Sequence, residues 1–86
     1  MNQVTVYSKS YCPYCKAAKK LLKTINVPFN EIDVQLNQKQ MKIMRQRSNR
    51  HTVPQIFFGD RHIGGYTDLV DYLRDARNER LSAQAS

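Results

Sequence analysis

Cys12 and Cys15 enclose Pro13 and Tyr14, and the chain has no other cysteine. Thiols at this spacing come within bonding reach when the segment turns as a helix, so the pair can cycle between dithiol and disulfide. A bridge closing so short a loop constrains little of the unfolded chain, which makes its use reactive rather than structural. A sulfur attacks a disulfide as thiolate, a form favoured at a helix N-terminus and beside cations. Cys12 has both settings: Pro13 suits a first helical position, and Lys9 and Lys16 lie on either side. Cys12 is therefore the expected nucleophile, and Cys15, one turn on, the resolving thiol. A structural zinc site is disfavoured and no metal is expected, because there is a single CxxC and His51 and His62 are not at a paired ligand spacing. Both histidines read as ordinary surface residues.

Two further clusters could bind a ligand. In Thr52-Val53-Pro54-Gln55 a proline directly precedes an apolar strand. Only about 5–6% of X-Pro bonds in folded proteins are cis, so the residue types alone predict trans. Gly64-Gly65-Tyr66-Thr67-Asp68 opens a helix whose first amides could hold a carboxylate, with Thr67 or Asp68 as cap. By themselves these residues read better as a glycine turn before an ordinary N-cap.

The elements that must position these groups follow from periodicity. Val4 to Tyr7 is a β-branched strand that delivers the cysteines. Ala17, Ala18, Leu21, Leu22 and Ile25 recur at helical spacing until Asn26 and Pro28 stop the helix. Phe29 to Val34 alternates as a second strand, completing a right-handed βαβ unit with parallel strands. Asn37 to Asn49 has helical composition, with Leu36, Met41, Ile43 and Met44 as its apolar side and the methionines as core filler. Gln55 to Phe58 and Arg61 to Ile63 form a hairpin about Gly59-Asp60. The last helix turns Leu69, Val70, Leu73 and Ala76 inward, and residues from about 79 to 86 are expected to fray. The fold class is α/β: βαβαββα, a four-stranded mixed sheet with helices on both faces and the first strand central. The expected organisation is one domain over residues 1–86.

Charge is uneven along the 86 residues. The net charge is +7, yet residues 9–50 hold ten Lys/Arg against only Glu31 and Asp33. Lys16, Lys19, Lys20 and Lys23 fall on one helix face as a solvated stripe whose field would attract anionic substrates. No aromatic residues interleave with these lysines, which argues against a nucleic-acid partner. Met1-Asn2-Gln3 leads directly into the first strand, and no apolar run approaches the roughly 20 residues needed to span a bilayer. A cytoplasmic monomer is expected.

Taken together, CPYC, TVPQIFF and IGGYTDL, in this order, make the chain resemble a dithiol glutaredoxin, similar to the small bacterial ones, over essentially its whole length to about Arg77. The resemblance implies a thioredoxin-like fold and glutathione as reducing co-substrate. It implies a cis Val53-Pro54 bond, with the Val53 backbone pairing with the cysteinyl unit of glutathione in the manner of strand addition. It assigns the γ-glutamyl end to the amides of Thr67 and Asp68 and to the Asp68 side chain. It assigns the glycyl carboxylate to Lys9, with Tyr14 lining the groove and Thr52 flanking the glutathione cysteine. One departure stands out: many members place an Arg or Gln in the second helix, near Met41 here, and methionine cannot contact a carboxylate. Gln40 and Lys42 are its neighbours.

The implied activity is reduction of protein disulfides and of glutathione mixed disulfides. Two alternatives compete. A redoxin fed by thioredoxin reductase for one dedicated partner would give Lys9, Asp68 and the TVP segment no required role. An iron–sulfur carrier is associated in this family mainly with single-cysteine CGFS motifs, and Pro13 restricts the backbone here.

Overall fold

The computed structural model describes the backbone of residues 3–85 and the side chains of residues 3–76. The elements are β1 (Val4–Ser8), α1 (Pro13–Thr24), β2 (Phe29–Asp33), α2 (Gln38–Ser48), β3 (Gln55–Phe58), β4 (Arg61–Gly64) and α3 (Tyr66–Ala85). This is the order expected from periodicity. The helix α3 runs to Ala85, and the side chains of the segment expected to fray lie outside those described.

The strands form one mixed sheet in the order β2-β1-β3-β4. β1 runs parallel to β2, with Val6 opposite Glu31, and antiparallel to β3, with Val6 opposite Ile56. β3 and β4 form the antiparallel hairpin, turning at Gly59 with φ 62°.

Strand alternation sorts side chains between two cores. On one face Val4, Val6 and Ile56 pack with Ala18 and Leu22 of α1 and Leu69 of α3. On the other, Tyr7 and Phe57 pack with Val34 and with Met44 of α2. Helices thus cover both faces, and the methionine filler is as expected: Met44 is fully buried, with Met41 beside it.

Several apolar expectations at helix ends do not hold. Ile25 caps α1 and is 41% exposed, and Leu36 lies ahead of α2 and is 84% exposed. Ala76 is exposed as well. Ile25 and Leu36 lie outside the helical segments themselves, as a C-cap and a residue ahead of the N-cap, while Ala76 opens with Ile25 onto a depression between α1 and α3. The lysine stripe is also less uniform than expected. Lys19 bonds Glu31 at 2.7 Å, and Ser8 donates to the same carboxylate oxygen at 2.6 Å. Lys19 first, then Ser8, hold the Glu31 carboxyl below the usual carboxylate range.

Candidate active site

β1 ends at the carboxyl edge of the sheet and releases the chain into Tyr11 and Cys12, the latter being the N-cap of α1. Pro13 occupies the first helical position, where its missing N–H costs nothing. The Cys15 amide donates to the Cys12 sulfur at 3.1 Å, so the capping acceptor is itself a cysteine sulfur. The two sulfurs are paired as a disulfide across a Cα separation of 5.1 Å. They are unequal: Cys12 is half-buried, whereas Cys15 has 0% exposure.

The Val53 carbonyl oxygen lies 3.8 Å from the Cys12 sulfur. The Val53-Pro54 bond is cis, contrary to the expectation from residue types and in keeping with the family resemblance. From Val53 a groove of about 340 Å³ runs along Thr52, Pro54 and Gln55 to Arg50, the start of α3 and Tyr14. Tyr14 and Tyr66 stand 6.2 Å apart between ring centroids, joining the starts of α1 and α3. Six of the residues singled out in the sequence, Tyr14, Thr52, Val53, Pro54, Thr67 and Asp68, meet in this one groove. Lys9 is half-buried just beyond β1 and is not part of the groove wall. Met41 packs into the core under Tyr7 and Phe57 rather than toward the groove. A larger apolar depression of about 640 Å³ between α1 and α3 has neither cysteine in its wall.

At the far end of the groove the start of α3 is held by Asp68. Its Oδ2 accepts the Gly65 amide at 2.9 Å and Arg50 at 3.0 Å. The first contact is the reach-back half of a capping box, and it uses the Gly65 amide that would otherwise be free. Later amides of the first turn have no intrahelical acceptor, since the Leu69 amide is the one that returns to Gly65 O. The Gly65 amide, then Arg50, hold the Asp68 carboxyl below its usual range. Gly64 has φ +121°, and a Cβ there would lie 2.8 Å from the Asp68 Cβ, so only glycine permits this closure.

Two of the groove's supports were not expected from the sequence. Gln55 is 1% exposed; its Nε2 donates to the Thr52 carbonyl at 3.0 Å and approaches the Thr52 hydroxyl at 3.3 Å. Its Oε1 then faces His62 Nε2 at 2.7 Å, which places the proton on that nitrogen of His62. His62 stacks against Phe57, with centroids 4.9 Å apart. It is therefore a half-buried member of a polar chain and not the surface residue expected. Burial, then Arg50, push its pKa down, against an opposing effect of Asp68. Arg50, two residues before Thr52, is the other omission; a cation beside the TVP segment was the available signal.

A sulfur pair with one accessible member, at a helix N-terminus and beside a peptide-sized groove, is suited to exchanging a disulfide with an extended thiol peptide. The glutaredoxin family model matches residues 4–63. Glutaredoxin 3 of Escherichia coli K12 is 47% identical over 77 residues, covering 90% of each chain. A solution structure of glutaredoxin from Brucella melitensis superposes with a TM-score of 0.76 at 40% identity, covering 94% of this chain and 88% of that one. A crystal structure of a buckwheat glutaredoxin–glutathione complex superposes with a TM-score of 0.79 at 31% identity, covering 87% and 71%. The chain belongs to the glutaredoxin family. Its fold is thioredoxin-like, and its activity is that of a thiol–disulfide oxidoreductase with glutathione as co-substrate. No helix among the described residues is long and apolar enough to cross a membrane.

Proposed function

We propose that Cys12 is the nucleophile, Cys15 the resolving thiol, and the groove from Val53 to Asp68 the seat of glutathione. The observation that carries this reading is the position of the half-exposed Cys12 sulfur, 3.8 Å from the carbonyl of Val53 in the groove wall. Charge-assisted donation from the Cys15 amide and the field of the α1 N-terminus favour the thiolate once the pair is reduced.

With a glutathionylated protein, the Cys12 thiolate attacks the glutathionyl sulfur. A Cys12–glutathione disulfide forms, and the protein thiolate leaves and takes up a proton. A second glutathione thiolate then attacks the glutathionyl sulfur of that disulfide, releasing glutathione disulfide and the Cys12 thiolate. With a protein disulfide, Cys12 attacks one sulfur and the Cys15 thiolate attacks the resulting mixed disulfide at Cys12. The substrate leaves as dithiol, and two glutathiones reduce the Cys12–Cys15 disulfide back to the dithiol and leave as glutathione disulfide.

Val53 offers its backbone to the cysteinyl unit, with Thr52, Pro54 and Tyr14 as walls. Amides at Thr67 and Asp68 take the γ-glutamyl carboxylate, and the Asp68 side chain takes the ammonium. Lys9 takes the glycyl carboxylate by extending toward the groove from the end of β1. The buckwheat complex, from a relative of this fold that holds glutathione, supports this ligand. The protein acts as a cytoplasmic monomer on glutathionylated and disulfide-bonded proteins, in keeping with its bacterial relatives.

The test is a coupled assay with glutathione, glutathione reductase and a small glutathione mixed disulfide. Cys12→Ser is expected to abolish turnover and Cys15→Ser to retain it. Turnover by Cys12→Ser would overturn the assignment.

A further inference from the structure

Arg50 is half-exposed, yet it lines the groove and is held there by its neighbours. The α2 helix ends at Asn49 in a left-handed conformation, φ 57°, and the chain then turns back under the Ser48 hydroxyl. That hydroxyl, on a buried residue, donates to the Met44 carbonyl at 2.7 Å and accepts the Arg50 amide at 3.0 Å. The backbone of Arg50 is thereby held, and its guanidinium reaches Asp68 across the groove at 3.0 Å.

The pairing is incomplete on both sides. Asp68 uses Oδ2 for Gly65 and Arg50, while Oδ1 accepts no hydrogen bond among the described residues. The Arg50 guanidinium uses one nitrogen, Nη1, and its other donors have no partner among the described residues. Both side chains remain open to solvent, about half and two-fifths exposed. A free carboxylate oxygen and free guanidinium donors therefore stand side by side in the wall of one groove. That is the complement of a head group carrying an ammonium and a carboxylate on one carbon.

Resting on the glutathione reading above, we infer that Arg50 and Asp68 act as a two-ended receptor for the α-amino-acid head of the γ-glutamyl unit. The ammonium meets Asp68 Oδ1. The carboxylate meets the free donors of Arg50 in addition to the first-turn amides of α3. Because Arg50 and Asp68 already neutralise each other, the receptor favours a zwitterion over a ligand bearing only one of the two charges. Arg50 is then a specificity-determining residue, selecting γ-glutamyl thiols from other small thiols.

The experiment compares two mixed disulfides of the same small thiol, one with glutathione and one with γ-aminobutyryl-cysteinylglycine, which lacks only the α-carboxylate. Wild type is expected to prefer the glutathione substrate in kcat/KM, and Arg50→Gln to lower that preference about fivefold, the effect of one partly solvated charge-assisted contact. Arg50→Lys should keep roughly half of the lost preference, on a logarithmic scale, because the charge remains while the fork is gone. Both substrates are read on one preparation, so the ratio is independent of the folded fraction. An equal loss on both substrates in Arg50→Gln would overturn the inference. A third substrate, the cysteinylglycine mixed disulfide, separates the two levels of argument. If wild type does not prefer glutathione over it, the γ-glutamyl reading of the groove itself fails. If it does, and Arg50→Gln leaves the carboxylate preference intact, only the role of Arg50 fails.

Discussion

The chain of contacts from His62 through Gln55 to Thr52 makes a prediction that can be worked from the structure. Gln55 is buried, and leucine, branched one carbon earlier, fills a comparable volume, so the main effect of Gln55→Leu is the loss of hydrogen bonds. It breaks two well-formed bonds, to the Thr52 carbonyl at 3.0 Å and to His62 at 2.7 Å. At about 1 kcal/mol net for each bond, the loss is about 2 kcal/mol. For a domain of this size that lowers the midpoint of thermal unfolding by roughly 8–16 °C. The loss is also local, because Thr52 precedes Val53, whose carbonyl faces the Cys12 sulfur. The coupled assay should therefore show a roughly tenfold lower kcat/KM for a glutathione mixed disulfide, carried mainly by KM. His62→Gln supplies an amide N–H at a similar reach and should keep most of both quantities, whereas His62→Leu should resemble Gln55→Leu. A Gln55→Leu protein that melts within about 2 °C of wild type with an unchanged KM would refute the view that this chain holds the groove.

Gly64→Ala forces a Cβ against the Asp68 side chain at a residue with φ +121°. The expected cost is about 2 kcal/mol or more in denaturant unfolding, with a raised KM for glutathione substrates as Asp68 is displaced. Stability should fall with acidification, because His62, Glu31 and Asp68 all have pKa values lowered on folding. Each such group contributes stability above its unfolded pKa and loses it as pH falls through the folded value. Unfolding measured across pH should thus show a shallow loss beginning below the ordinary His62 value of 6.5 and a steeper one below the ordinary Glu31 value of 4.5. A maximum near pH 5 would contradict the depressed His62.

What the sequence disclosed and what it withheld divide along a physical line. Cys12 as a helix N-cap was legible because the signal is contiguous: a β-branched strand, a proline at the first helical position and an apolar period behind it. The central place of β1 was legible because one connection leaves it on each side. Groups whose role depends on a distant partner were not. Arg50 and Asp68 are 18 residues apart, Lys19 and Glu31 12 apart, and only the folded sheet brings them together. His62 illustrates the cost: in a polar hairpin it reads as a surface residue, yet Phe57 and Gln55 enclose it. Ile25 and Leu36 show the reverse error, since an apolar period does not record where the helix ends: Ile25 is the C-cap of α1 and Leu36 precedes α2, and both are exposed.

The unequal burial of the two sulfurs bears on which exchange route the proposed site favours. With no solvent exposure, Cys15 cannot be reached by the sulfur of another protein, so the oxidised pair can be opened by an external thiol only at Cys12. Attack at Cys12 leaves Cys15 as the departing thiolate, inside α1 and next to the mixed disulfide it can reclose. The Cys12–glutathione intermediate therefore faces two competitors: Cys15, always present one helical turn away, and a second glutathione, present in proportion to its concentration. Cys15→Ser removes the first competitor and leaves every step of the glutathione route intact. Its turnover of a small glutathione mixed disulfide should thus equal or exceed that of the wild type, while its reduction of an intramolecular protein disulfide is lost. Loss of both activities in that variant would mean that Cys15 does more than compete for the intermediate.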